Sequence, residues 1–195
     1  QKKLVLKNFK VPLLGIHNIR NSTAAIAVAF TVGISPSNIK KGLINFKGVQ
    51  RRFNKIFSYN KIDFYDDYAH HPTEIRSVLE GVKNVYNKCE KVCIFQPHRI
   101  SRLKDLRKEF SESFKDADIV ILCPIYTAGE KMKLGFNYNN FAKEIIKNSK
   151  VKLFMVNNNT QLAKFIKKNM HGNKIVIGMG AGSISSWIKK LPELM

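Results

Sequence analysis

No apolar run in this sequence approaches the ~20 residues that a membrane-spanning helix needs, which removes one class of function at the outset. The first residues also lack the charged, apolar and small-residue order of a signal peptide, so the expected location is the cytosol, with no membrane partner. Cysteine is scarce as well. Cys89, Cys93 and Cys123 are odd in number and have neither C-x-x-C spacing nor an adjacent histidine, so they offer no zinc site. They fall in or beside apolar segments, where buried, reduced thiols are expected. The chain starts at Gln1 rather than methionine, and the expectation is that its true start lies upstream.

Acidic side chains are few: 14 Asp and Glu stand against 34 Lys and Arg, for a net charge of +20. A balance this basic raises nucleic acid as a partner. The distribution argues against a specific one, because lysine predominates, is spread from Lys2 to Lys190, and forms only pairs such as Lys40 with Lys41 and Lys167 with Lys168. With its abundant asparagine and isoleucine, the chain reads as the product of an AT-rich genome, leaving weak, salt-sensitive adhesion to polyanions. A non-catalytic basic α/β nucleic-acid-binding module is the alternative from a different class.

What is present is a change of texture along 195 residues, enough for one large domain or one domain plus part of a neighbour. The alanine-rich segment 18 to 33 and the segment 35 to 46, opened by Ser35 and Pro36, predict two helices. After Gly48 apolar runs alternate with helical patterns. Strands are expected near 53 to 58, 62 to 66, 91 to 96, 118 to 123, 151 to 156 and 174 to 178, and helices near 72 to 87, 101 to 115, 138 to 148, 159 to 168 and 183 to 190. The helix at 72 to 87 shows the warrant: Ile75, Val78, Leu79, Val82 and Tyr86 recur on one side, with Glu74, Arg76, Lys83 and Asn84 away from it. From residue 62 the β-α-β-α succession implies an α/β domain, a mostly parallel sheet with helices on both faces. The boundary is expected near Gly48, dividing residues 1–48 from residues 49–195.

In such a sheet, ligands gather where strands end and helices begin. "DFYDDYAHHPTEIRSVLEGV", residues 63 to 82, crowds aspartates, a tyrosine and two histidines at one such end. Asp66 or Asp67 can serve as turn residues, His71 as a helix cap and Tyr68 as packing, or the group can form a site. "FQPHRISRLKDL" gives a second end, where Arg99 and Arg102, three apart beside a positive helix terminus, suit a carboxylate or phosphate. "ILCPIYTAGE" is a third, with Glu130 as an expected partner for one of those arginines. The glycines of "IVIGMGAGSIS" form a fourth, read either as a tight strand-to-helix turn or as a weak dinucleotide signal, since position 183 is serine. A stand-alone dinucleotide-binding oxidoreductase is therefore a third reading, though no acidic ribose partner follows that turn. Near the front, "GIHNIRN" sets His17, Asn18 and Asn21 at the start of a helix, where amides can serve a purine edge or Asn18 can cap the helix.

Together these segments resemble the Mur ligases, ATP-dependent enzymes that add amino acids to the peptidoglycan precursor. "GIHNIRNSTAAIAVA" is similar to the family's G-x-H-N-x-x-N-x-x-A-A, "GVQRRF" to its G-x-x-R-R-F, and "DDYAHHPTEI" to its D-D-Y-A/G-H-H-P-T-E. "FQPHRISRLKDL" and "YTAGE" resemble the member that joins L-alanine to UDP-N-acetylmuramate more than the sibling that reattaches recycled tripeptide. The resemblance runs through essentially the whole chain. It implies the end of a central ATPase domain, as a short helical remnant, followed by a Rossmann-like C-terminal domain. It also implies ATP and Mg2+ as cofactors and UDP-N-acetylmuramate and L-alanine as substrates. His17, Asn18 and Asn21 would then hold the adenine, Asp67 the ribose and Arg52 the terminal phosphate, while Tyr68, His70, Arg99 and Arg102 position the amino acid and the reacting carboxylates. Arg52 and His70 are the residues nearest the chemistry. Thr127 and Ser183 depart from the commoner family residues. More serious is the lack of a G-x-x-G-K-[ST] loop, which grips ATP phosphates and helps hold magnesium. That loop and the N-terminal UDP-binding domain are expected upstream, and the chain alone is expected to be inactive.

Overall fold

The computed structural model describes residues 6–13, 15–131 and 136–195. The chain divides into two units, Gln1–Val49 and Gln50–Met195. In the first, α1 (Ile16–Thr31) begins two residues before the expected start, and its N-cap is Gly15 rather than Asn18. Gly15 has φ 89°, and a Cβ there would lie 2.7 Å from His17 Cε1, so only glycine fits this turn. In α2 (Pro36–Asn45), Ser35 Oγ accepts from the Asn38 N–H and Pro36 takes the first turn, as the sequence predicts. Among the described residues of this unit only Ser22 and Ile39 are buried, so two helices of this length bury almost nothing between them.

The second unit is built on six strands, β1 (Asn54–Tyr59), β2 (Ile62–Asp67), β3 (Glu90–Phe95), β4 (Ile119–Leu122), β5 (Lys152–Met155) and β6 (Lys174–Met179). Their order is β1-β2-β6-β3-β4-β5, with β1 antiparallel to β2 and every other pair parallel. Between them run α3 (Pro72–Val85), α4 (Ile100–Asp105), α5 (Arg107–Ser111), α6 (Tyr138–Ser149) and α7 (Asn159–Asn169), and α8 (Ile184–Leu194) closes the chain. Crossovers between parallel strands are right-handed, so a chain stepping one way from β2 through β3 and β4 to β5 puts its helices on one face. Returning from β5 to insert β6 between β2 and β3 then sends α7 to the other.

The two cores follow this division. Tyr65, Cys93, Phe95, Val120, Leu122, Ile175 and Ile177 pack with Leu79 of α3, Phe110 of α5 and Phe141 of α6. Residues of opposite strand parity, Phe64, Val92, Ile94, Ile121 and Val176, pack with Leu162 and Ile166 of α7 and Ile184 and Ile188 of α8. Helices thus cover both faces. Cys93 and Cys123 are buried and all three thiols are free; burial pushes the Cys93 and Cys123 thiols up, away from thiolate.

The helix expected over 101 to 115 is instead two short helices. The chain bends at Leu106, with φ −111°, and α5 then lies against α6, where Arg107 makes a two-pronged ion pair with Glu144 at 2.8 and 2.9 Å. Helix α5 stops early because Ser111 and Ser113 turn their hydroxyls back onto the Lys108 and Phe110 carbonyls.

Candidate active site

The carboxyl ends of β2, β6, β3 and β4 lie side by side, and the expected polar residues of this unit sit there. Asp67 ends β2 and is only 2% exposed. Its Oδ1 accepts from the Ala69 N–H and its Oδ2 from the Phe53 N–H, both at 2.8 Å, which ties the turn before β1 to the loop after β2. Burial raises its carboxyl to about 6, against the opposing pull of those two N–H groups and the nearby Arg52 charge. Asp66 points to the other face, where Ser185 Oγ donates to its Oδ2 at 2.6 Å.

After Asp67 the loop runs through Tyr68, His70 and His71. His71 caps α3: its Nδ1 accepts from the Thr73 N–H, while Glu74 folds back to accept from the His71 N–H at 3.2 Å and the His70 N–H at 3.0 Å. His70 Nδ1 donates to the Tyr68 carbonyl at 2.9 Å, which fixes the proton on that nitrogen and leaves Nε2 as an open acceptor. The ring of His70 stands edge-on to Tyr68 at 5.1 Å and to His98 at 5.8 Å, and His98 stacks on Tyr126 at 5.5 Å. A continuous row of rings thus links the ends of β2, β3 and β4.

Arg102 joins this row by donating to His98 Nδ1 at 3.3 Å, so His98 accepts there and is neutral. Burial first, then the charges of Arg102 and Arg99, holds His98 below the usual imidazole value. Arg99 is the residue before α4, exposed, with φ 70° and its N–H bonded to the Tyr126 carbonyl at 2.8 Å. Glu130 does not pair with either arginine as expected. Its Oε2 accepts from the Ile100 and Ser101 N–H groups at 2.7 and 3.1 Å, and its Oε1 from the Ser101 hydroxyl. The helix terminus thought to await a substrate anion already holds the protein's own carboxylate, which those bonds keep below the ordinary glutamate value.

The glycine turn after β6 is explained by close packing. A Cβ at Gly178 would lie 2.6 Å from Ile188 Cγ1, one at Gly180 2.7 Å from the Gln96 carbonyl, and one at Gly182 2.5 Å from Tyr126 Cγ. Gln96, 3% exposed, caps α8 from a different strand, its Oε1 accepting from the Ile184 N–H at 2.9 Å and its Nε2 donating to Ser183 Oγ at 3.0 Å.

The structure therefore brings Asp67, Tyr68, His70, Arg99 and Arg102 to one edge, with Glu130 beside them. Arg52 is exposed next to Asp67, its N–H donating to Asn54 Oδ1. His17, Asn18 and Asn21 lie on α1 of the other unit, Asn21 exposed. Sequence reasoning missed His98, Tyr126, Gln96 and Arg51. All four stand in quoted stretches, and for Gln96, His98 and Tyr126 the position directly after strands β3 and β4 is the signal that could have found them.

Comparison with known proteins adds a second kind of observation. The family Mur ligase, glutamate ligase domain, matches residues 51–182. The chain is 71% identical over 195 residues to the UDP-N-acetylmuramate–L-alanine ligase of Pelagibacter ubique, covering 100% of this chain and 42% of that protein. It is 39% identical over 192 residues to the ligase of the same name from Bartonella tribocorum, covering 98% and 40%. The solved UDP-N-acetylmuramate-alanine ligase from Thermotoga maritima superposes with a TM-score of 0.77 at 29% identity, over 95% of this chain and 39% of that one. A murein peptide ligase from Psychrobacter arcticus shares the fold, with a TM-score of 0.71 at 22% identity, over 95% and 38%. The chain spans about two-fifths of the length of these relatives. On the family match, the extent of identity and the common fold, the chain belongs to the Mur ligase family, whose C-terminal domain its second unit represents.

Proposed function

We propose that this chain is the carboxyl-terminal part of an ATP-dependent ligase that joins L-alanine to the lactyl carboxylate of UDP-N-acetylmuramate. The observation that carries this reading is the gathering of Tyr68, His70, His98, Arg99 and Arg102 on one strand-end row beside Asp67. Identity over the full chain with a ligase of that name supports it. In the reaction, a carboxylate oxygen takes the terminal phosphoryl of ATP and ADP leaves. The alanine amine then attacks the acyl carbon, and the tetrahedral intermediate expels phosphate to leave the amide. Two anions and a charged phosphoryl must meet, so the protein's task is orientation and charge neutralisation.

Arg99 and Arg102 supply positive charge for carboxylates, and His70 Nε2 is an acceptor suited to an ammonium or amine N–H. Tyr68 walls the amino acid, and exposed Arg52 is proposed for the terminal phosphate. Asp67 is proposed for the ribose, each oxygen keeping a lone pair beyond its bond to Phe53 or Ala69. His17, Asn18 and Asn21 are proposed for the adenine. Among the described residues no group of three His, Cys, Asp or Glu could hold a metal, so no magnesium ligand is assigned to this chain. The near-coreless first unit fits the end of a larger ATP-binding domain.

The test is to read the gene upstream of Gln1 and express the full-length protein. A G-K-T or G-K-S loop should be encoded there. Phosphate release should require ATP, UDP-N-acetylmuramate and L-alanine together, and the 195-residue chain alone should release none. Turnover by the chain alone, or use of a peptide in preference to L-alanine, would overturn the reading.

A further inference from the structure

We infer that the adjacent arginines 51 and 52 have different jobs, and that Arg51 is a positioning residue that sets the face of Tyr68 rather than a contact for substrate. This rests on the reading of the site given above. Arg51 and Phe53 both adopt left-handed backbone, with φ 60° and 53°, an uncommon conformation for such side chains that turns neighbouring side chains apart. Arg52, between them, is exposed.

Arg51 turns inward. Its Nη2 donates to the Gly180 carbonyl at 2.6 Å, and its Nε lies 3.6 Å from Asp66 Oδ2, a charge contact longer than a hydrogen bond. Asp66 is 1% exposed, and its Oδ1, like Arg51 Nε, has no hydrogen-bond partner among the described residues. The flat guanidinium then lies 4.6 Å over the Tyr68 ring, while the Arg51 carbonyl accepts from the Tyr68 N–H at 2.7 Å. Tyr68 is thus held by backbone on one side and by a cation on its face. With Nη2 bonded to the Gly180 carbonyl, Nε facing the Asp66 carboxylate and the guanidinium face against Tyr68, Arg51 is turned inward and poorly placed to meet a phosphate. Arg52 has no such commitment among the described residues.

The planar face, not the charge alone, is the working element, so lysine should not replace it. Arg51→Ala strands a buried carboxylate and can fail to fold; Arg51→Lys keeps the charge. In the full-length protein, Arg51→Lys should raise KM for L-alanine about fivefold and leave kcat and KM for ATP within about twofold. Arg52→Lys should instead lower kcat. In a Tyr68→Ala background, Arg51→Lys should add less than about twofold, because the residue it acts through is gone. A purely structural Arg51 would lower the melting temperature and the active fraction without moving KM. Independent, multiplying effects of the two substitutions, or an Arg51→Lys phenotype matching Arg52→Lys, would overturn the assignment. A full-length wild type without L-alanine ligase activity would instead refute the reading of the site itself.

Discussion

The Asp67 carboxyl should write a measurable pH dependence into the stability of the 195-residue chain. Its folded value is raised from 3.8 to about 6, chiefly by burial. The folded state therefore binds a proton that the unfolded chain has already lost between those two values. A raised acid contributes stability that is fully present below about pH 4 and lost as pH rises through about 6. A shift of about two units corresponds to about 3 kcal/mol across that window. The assay is urea unfolding from pH 4 to 7, with Asp67→Asn as the comparison. The amide carries its own constant cost, because an NH2 then faces the N–H of Phe53 or Ala69, so only the difference in slope is diagnostic. His98 acts with the opposite sign: its folded value lies below 6.5, so it adds stability above that pH that is lost on acidification. Comparing the two chains removes that contribution. Equal slopes, or an Asp67 carboxyl carbon that titrates below pH 4 by NMR, would show that the two N–H bonds outweigh burial.

Gly182→Ala places a methyl 2.5 Å from Tyr126 Cγ and 2.6 Å from Gln96 Oε1, and should cost about 1–3 kcal/mol in urea unfolding while displacing the Tyr126 ring against His98. Leu79→Ala, in the fully buried stripe of α3, should cost about 2–5 kcal/mol by the same measurement. In the full-length protein, Arg99→Ala should raise KM for L-alanine or the muramate substrate and Asn21→Ala should raise KM for ATP, read by coupled phosphate release; unchanged kinetics in both would remove those assignments.

The strands and most helices were legible because periodicity survives in single segments. Ile75, Val78, Leu79 and Val82 mark one face of α3 at helical spacing, and all four are buried. What a single segment cannot carry is its partner. Nothing in 174 to 179 says that β6 enters between β2 and β3, yet that insertion brings Gly182 under Tyr126 and Gln96 onto the start of α8. The break at Leu106 was hidden for a related reason, since residues 101 to 115 keep a helical pattern through the bend and α5 leans on Glu144, 37 positions away. Arg52 is singled out in the sequence by family resemblance alone; the inward turn of Arg51 goes with backbone dihedrals that two identical neighbours do not encode in any visible way.

The Glu130 cap allows a sharper test of how charge is arranged at the β3 and β4 ends. Its carboxylate holds the N-terminus of α4 through Ile100 and Ser101 and lies near enough to Arg99 to be stabilised by it. Whatever Arg99 gives to Glu130 is withheld from a substrate carboxylate. In Glu130→Gln the amide oxygen can still accept from both N–H groups while its NH2 donates to Ser101 Oγ, so the cap geometry persists and only the charge is removed. The melting temperature should then fall slightly, while KM for the carboxylate-bearing substrates drops about two- to threefold at low salt, an advantage that fades as salt is raised. If KM rises instead, with the melting temperature little changed, then Glu130 orients Arg99 rather than competing for it, and the arginine pair depends on that carboxylate to face its substrate.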